Sequence, residues 1–200
     1  YVSTKRNYID LPIYAHGTRL KFLESFCGSF MDNVDAHAKG HLRVFGDLKD
    51  VNLEGDLRVS GQFDVTPLHT TYSMKHAHVR LIPDNIIMDR DTVYDRDGHI
   101  GILTGSLHHE SLRHLTYDLQ VDAHNFLAYD HKTYEGNTFF GTVYGTGTCN
   151  IKGRSGEIVM DVQATPEKGS FIEYTAGYAG TLDDANFTRR NDVTPPADDA

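Results

Sequence analysis

The chain has 200 residues, a formal net charge of −9, twelve histidines, two cysteines and no tryptophan. That length suits one domain with a sizeable core or one slab of a larger repeat structure. The acidic balance argues against binding nucleic acid through its phosphates, since the basic pairs Lys5-Arg6 and Arg189-Arg190 are isolated and make no stripe, while the wide separation of Cys27 and Cys149 excludes a disulfide scaffold and a thiolate zinc site.

Residues 1–12 are polar and tyrosine-rich and read as a lead-in, with Leu11-Pro12 marking an edge or a turn. There is no basic-plus-apolar leader and no apolar run near the length of a membrane span, so the sequence reads as an excised fragment. Residues 18–31 (TRLKFLESFCGSFM) could form a short helix, but Gly28 and the neighbouring aromatics favour a strand. From residue 41, Leu42, Val44, Gly46 and Leu48 share one parity. Residues 51–65 (VNLEGDLRVSGQFDV) then alternate apolar or glycine with polar at every position. Side chains on a strand point to opposite faces with period two, so this is a ribbon with one greasy and one wet face. Its GDLRVSG (55–61) copies the GHLRVFG at 40–46, fifteen residues upstream.

Residues 70–82 continue as strand, with Tyr72, Met74, His76 and His78 on one parity and Ala77, Val79 and Leu81 on the other. Pro83-Asp84-Asn85 and DRDG (95–98) are turns, the second of a type favoured in tight hairpins. Residues 100–107 form a strand and 108–114 a connection; Leu115, Leu119 and Val121 then alternate with polar residues up to 123. After a charged loop at 130–137, residues 139–151 repeat the ribbon with smaller side chains (Val143, Cys149, Ile151). Residues 157–164 bear Ile158, Met160 and Val162, and 171–175 close the strand series. Beyond 182 the chain is polar and proline-containing, as expected of a linker or disordered tail at 183–200. The class is all-β, with few or no helices and one slab over 13–182.

Chemistry is sparse. His76 and His78 could chelate a metal from one strand face if a third ligand came across, but HxH is a weak signal and solvent-facing histidines are the plainer reading, so no metal and no cofactor are expected. Residues 89–98 (DRDTVYDRDG) look like a calcium loop but lack its terminal glutamate, and their arginines oppose a cation; a solvated hairpin loop is the simpler account. No nucleophile elbow, phosphate loop or marked carboxylate pair occurs, so a non-enzymatic role is expected.

The runs DGHIGILTGSLH (97–108), LTYDLQVDAHNFL (115–127), FFGTVYGTGTCNIKG (139–153) and ATPEKGSF (164–171) resemble the C-terminal region of the TamB family, within the AsmA-like group and of Bacteroidetes type. The resemblance covers residues 40–182. It implies a β-taco, an antiparallel or mixed sheet folded into a trough with an apolar interior. It also implies a periplasmic protein anchored in the inner membrane, carrying glycerophospholipid between membranes or aiding outer-membrane protein assembly with a BamA-type barrel. A site in such a fold is a continuous lining, here Leu42, Val44, Leu53, Leu57, Val59, Phe63, Leu115, Leu119, Val121, Val143, Ile151, Ile158, Met160 and Val162. Phospholipid acyl chains gain about 0.8 kcal/mol per buried CH₂, so such a lining needs no catalyst. A closed sandwich or barrel in which these side chains pack on each other, or a structural or adhesive β-solenoid module of a surface protein, stays open from sequence alone.

Overall fold

The computed structural model describes residues 7–27, 30–132, 139–154 and 157–174. The first six residues, most of the 130–137 loop, part of the 153–156 turn and the 183–200 tail lie outside these. Ten strands follow in order: β1 (Tyr8–Arg19), β2 (Met31–Asp47), β3 (Asp50–Val65), β4 (Thr70–Ile82), β5 (Asn85–Tyr94), β6 (Ile100–Glu110), β7 (Arg113–His131), β8 (Phe139–Arg154), β9 (Glu157–Pro166) and β10 (Phe171–Tyr174). They form one open sheet in which β1 to β8 pair as consecutive neighbours, with β9 and β10 in line along the far edge of β8. Every pairing among the described residues is antiparallel. That topology is neither a parallel solenoid nor a two-sheet sandwich, and the all-β trough expected from the sequence stands.

The strands start earlier than expected: β1 takes in Tyr8–Pro12 of the presumed lead-in. Pro12 fits there because β1 is an edge strand, paired with β2 alone, where a residue without an N–H costs least. Alternation also runs further than its parity suggests, because bulges reset it. Asn33, His76, Arg90 and Asn125 adopt left-handed backbone conformations, and at each the register gains one residue. A bulge turns the side chains that follow to the other face. Tyr72 and Met74 therefore share the inner face with Ala77, Val79 and Leu81, not with His76 and His78 as strict alternation had it.

Residues 18–31 are not one strand. β1 ends at Arg19, a 3₁₀ turn spans Lys21–Leu23, and one helical turn, α1 (Glu24–Cys27), follows. Beyond Val34 the inner face of β2 carries the small residues Ala36, Ala38 and Gly40, which leaves a hollow. Leu20 and Leu23 fill it, packing with Val34, Ala36, Ala38, Leu57, Val59 and Phe63. The Glu24 carboxylate accepts the Val34 N–H at 2.8 Å and holds the turn down. The spacing of Leu20, Leu23 and Cys27 is helical, and that signal outweighs the single Gly28.

The sheet curls. β4 and β7 are separated by two strands, about 14 Å on a flat sheet, yet the Tyr72 hydroxyl donates to the Leu127 carbonyl at 2.9 Å. The Tyr72 ring also stacks on Phe126 at 5.0 Å. At the other end of the strands, the Ser111 hydroxyl meets the Lys49 carbonyl at 3.3 Å and Asp50 Oδ1 at 3.0 Å, so the β6–β7 turn rests on the β2–β3 turn. At the far edge, Ser170 Oγ accepts the Tyr144 N–H (2.9 Å) and donates to the Tyr144 carbonyl (3.0 Å), bridging the break between β9 and β10.

Candidate apolar trough

The inner face is built from rows that cross the sheet at right angles to the strands. Directly opposed residues share a face, so the register reads out each row. One runs Leu42, Gly55, Leu81, Ile86, Leu107, Tyr117, Gly153 and Ile158. The next runs Gly40, Leu57, Val79, Met88, Gly105, Leu119, Ile151 and Met160. A third carries Ala38, Val59 and Ala77 and, past the bulges, Asp91, Leu103, Val121, Cys149 and Val162. The sequence repeat acquires a meaning here. Gly40 opposes Leu57 and Gly55 opposes Leu42, so each copy lends its glycine to seat the other copy's leucine. Both glycines have positive φ (+143° and +149°), and a Cβ on either would strike the facing strand's backbone, at Asp56 O and His41 O respectively.

Burial divides the expected lining. Ile151 lies in the principal core with Phe30, Val65, Tyr72, Met88, Val93, Leu103 and Phe126, and Phe63, Leu119, Val121, Ile158 and Met160 pack against it half-buried. Leu57 and Val59 support the smaller cluster around Leu20. Leu42, Val44, Leu53, Leu115 and Val143 are half-buried outside both clusters, and Val162, near the edge, is 54% exposed. The middle of the trough is thus filled by its own side chains and by the segment around α1, while its flanks keep apolar surface in reach of solvent. Alternation alone missed Tyr72, Met74, Met88, Leu103 and Phe126, most of which lie beyond a bulge or on strands with weaker contrast, while Tyr117 shares the parity of Leu115 and Leu119 and joins the lining beside them.

Polar groups inside are few. Asp91 occupies a lining position opposite Leu103; its Oδ1 accepts the His78 N–H at 2.6 Å, while Oδ2 is buried without a protein partner. His109 is 1% exposed, and burial lowers its pKa and keeps it neutral. The Cys27 thiol, in contact with the Tyr117 hydroxyl at 3.7 Å, is pushed up by burial against the opposing effect of that hydrogen bond. Burial likewise raises Cys149, and both thiols are free. Burial pushes Tyr72 up to about 12.

The residues weighed for metal are not brought together. His78 Nε2 meets Asp56 Oδ1 at 2.9 Å, while His76 pairs with Ser60. Among the described residues, the group with metal-ligand spacing is Asp95, Asp97 and His99, in the hairpin read as a solvated loop. Asp95 corrects that reading, because it is buried and fully engaged. Its Oδ1 accepts the N–H groups of Asp97 and His99, and its Oδ2 accepts the Leu127 N–H and faces His99 Nδ1, all at 2.8–2.9 Å. Burial alone would raise its pKa, but the hydrogen bonds from Leu127 and His99 outweigh it and hold the carboxylate ionised to lower pH. Asp95 therefore serves to tie the β5–β6 hairpin to β7.

No helix among the described residues is long and apolar enough to cross a membrane. The family described as the TamB C-terminal domain matches residues 89–199, more than half of the chain. No curated protein and no solved structure matches.

Proposed function

The chain belongs to the TamB family, and from that premise we propose that its curled sheet shields acyl chains of phospholipid along the apolar flanks of the trough. Membership makes it a component of the translocation and assembly module, in the cell envelope and with an outer-membrane partner. The finer reading is a non-enzymatic, periplasmic segment of a conduit between the membranes, anchored in the inner membrane through other parts of the protein and working with a BamA-type barrel. One observation carries it: the apolar rows continue across the sheet, but their flanking members are half-buried instead of sealed. Ten methylenes laid against such a surface gain about 8 kcal/mol before ordering costs. That is enough to hold a chain with no polar recognition.

The test uses delipidated protein reloaded with phosphatidylethanolamine, read by native mass spectrometry and lipid extraction, with a photoreactive residue at Leu53 or Val121. Leu53 is the better probe, because it lies outside both packed clusters. Leu53→Asp should abolish loading and leave the circular dichroism spectrum unchanged. Leu57→Asp should also unfold the smaller cluster. Failure of the reloaded protein to retain lipid or crosslink to it would overturn the reading.

A further inference from the structure

The register assembles a feature that the linear sequence hides. On the outer face, His16, Lys39, Arg58 and His78 are directly opposed across β1, β2, β3 and β4, four basic side chains in a single row. The neighbouring row holds Arg19, His37 and Ser60, with His76 against Ser60. The basic pairs that the sequence shows, Lys5-Arg6 and Arg189-Arg190, lie outside the described residues; the members of this stripe lie about twenty positions apart and meet only through strand pairing.

The centre of the stripe, Lys39 and Arg58, lacks neutralisation. Lys39 and Arg58 face each other as like charges, an arrangement that destabilises a sheet on its own. Among the described residues neither has a carboxylate within ion-pair distance, and Arg58 reaches only the His76 carbonyl, at 3.4 Å. The one acid in the adjoining row, Asp56, is held by His78 at 2.9 Å; Asp35 lies beyond Ser60 on the other side, opposite Gln62. A hollow of about 380 Å³ opens over these cations, lined by Gly17, His37, Lys39, Arg58, Ser60 and His76. All this sits on a chain of net charge −9, where an uncompensated basic stripe is the exception.

We propose that the outer face of β1–β4 is a docking surface for an anionic lipid bilayer, with the stripe engaging phosphate-bearing headgroups. The basic side chains are strung along roughly 14 Å, one per strand, with Lys39 and Arg58 as the fixed charges at the centre, a linear array that suits a field of headgroups. Tyr14, 70% exposed at the β1 rim, suits the headgroup zone, where tyrosine is enriched. The rings in these two rows are imidazoles; no Phe, Tyr or Trp alternates with Lys39 and Arg58, so the large stacking platform of a single-strand nucleic-acid site is missing from them. This surface lies on the opposite face from the trough and does not depend on what the trough holds.

Flotation of the protein with vesicles tests it, comparing phosphatidylcholine alone with roughly three parts phosphatidylcholine to one of phosphatidylglycerol. The expected result is binding to the anionic vesicles only, lost at high salt and weakened at least about thirty-fold, the loss of two cations alone, in the double variant Lys39→Glu, Arg58→Glu. The matched reversal Lys152→Glu, Arg154→Glu, whose parent residues already pair with Asp118 and Glu157, should bind as the parent does. Equal binding to neutral vesicles, or an unaltered double variant of native circular dichroism, overturns the proposal. So does displacement from vesicles by low inorganic phosphate, which would mark a free-anion pocket, or by a short single-stranded DNA in preference to lipid.

Discussion

Replacing Tyr72 by phenylalanine isolates the contact that closes the sheet on itself. The ring stays stacked on Phe126 and edge-on to Phe63, at 5.0 and 6.3 Å, and only the hydroxyl bond to the Leu127 carbonyl is removed. At neutral pH the cost should be about 1 kcal/mol, the net worth of one such bond. Alkaline pH reverses the comparison. The phenol is held neutral up to about 12 in the folded protein, against an ordinary value near 10, because burial disfavours the phenolate. A group whose folded pKa is raised contributes stability that is complete below its unfolded pKa and is lost as pH climbs through the folded one. Two units correspond to at most about 3 kcal/mol lost between pH 10 and 12. The phenylalanine variant has no such loss at this position, so the two stability curves should cross at about pH 11. Burial raises Tyr117 too, but it is common to both proteins and cancels. Urea titrations followed by circular dichroism, the chain having no tryptophan, would show the crossing. Parallel curves from pH 7 to 12 would refute the buried closure between β4 and β7.

Asp95→Ala should destabilise by about 3 kcal/mol, because it strips a charged acceptor from the buried Leu127 N–H and from the hairpin. Asp95 has a lowered pKa, so its contribution is present above the ordinary carboxylate range and disappears as pH falls through the lower folded value; acid titration of the parent and the variant should converge at low pH. Gly55→Ala should cost several kcal/mol more than Gly17→Ala in thermal melts. Both have positive φ, but only at Gly55 does the added Cβ collide with the facing strand; at Gly17 nothing lies within 4 Å. Equal losses would mean that the close approach of β2 and β3 is not a constraint.

Much of the sheet was legible from period two alone, because long strands with one wet face leave a signal that few other structures imitate. β3 ran almost to the residue as read, and the smaller side chains of the 139–153 ribbon go with a close approach of strands, as Gly147 against β9 shows. What alternation could not convey is the phase shift at a bulge: His76 and Arg90 look like ordinary strand residues until their left-handed backbone is seen. The turn after β1 failed for a different reason. A short apolar run of helical spacing and a strand compete on nearly equal terms, and the hollow over Ala36 and Ala38, a tertiary fact, decides between them. The basic stripe was invisible for the same class of reason, since its members are neighbours only through hydrogen-bonded pairing.

The strictly sequential pairing of β1 to β8 has a kinetic consequence. Each hairpin closes a short loop, so this large β-sheet has unusually local contacts and can assemble strand by strand, without the distant pairings that slow most all-β chains. Contacts of long sequence reach, among them Tyr72 to Leu127, Lys49 to Ser111 and Cys27 to Tyr117, join segments 55, 62 and 90 residues apart. They can form only after the ribbon between them exists. Zipping of neighbouring strands therefore precedes curling, and the apolar rows stay open to solvent until Tyr72 and Phe126 close the sheet on itself.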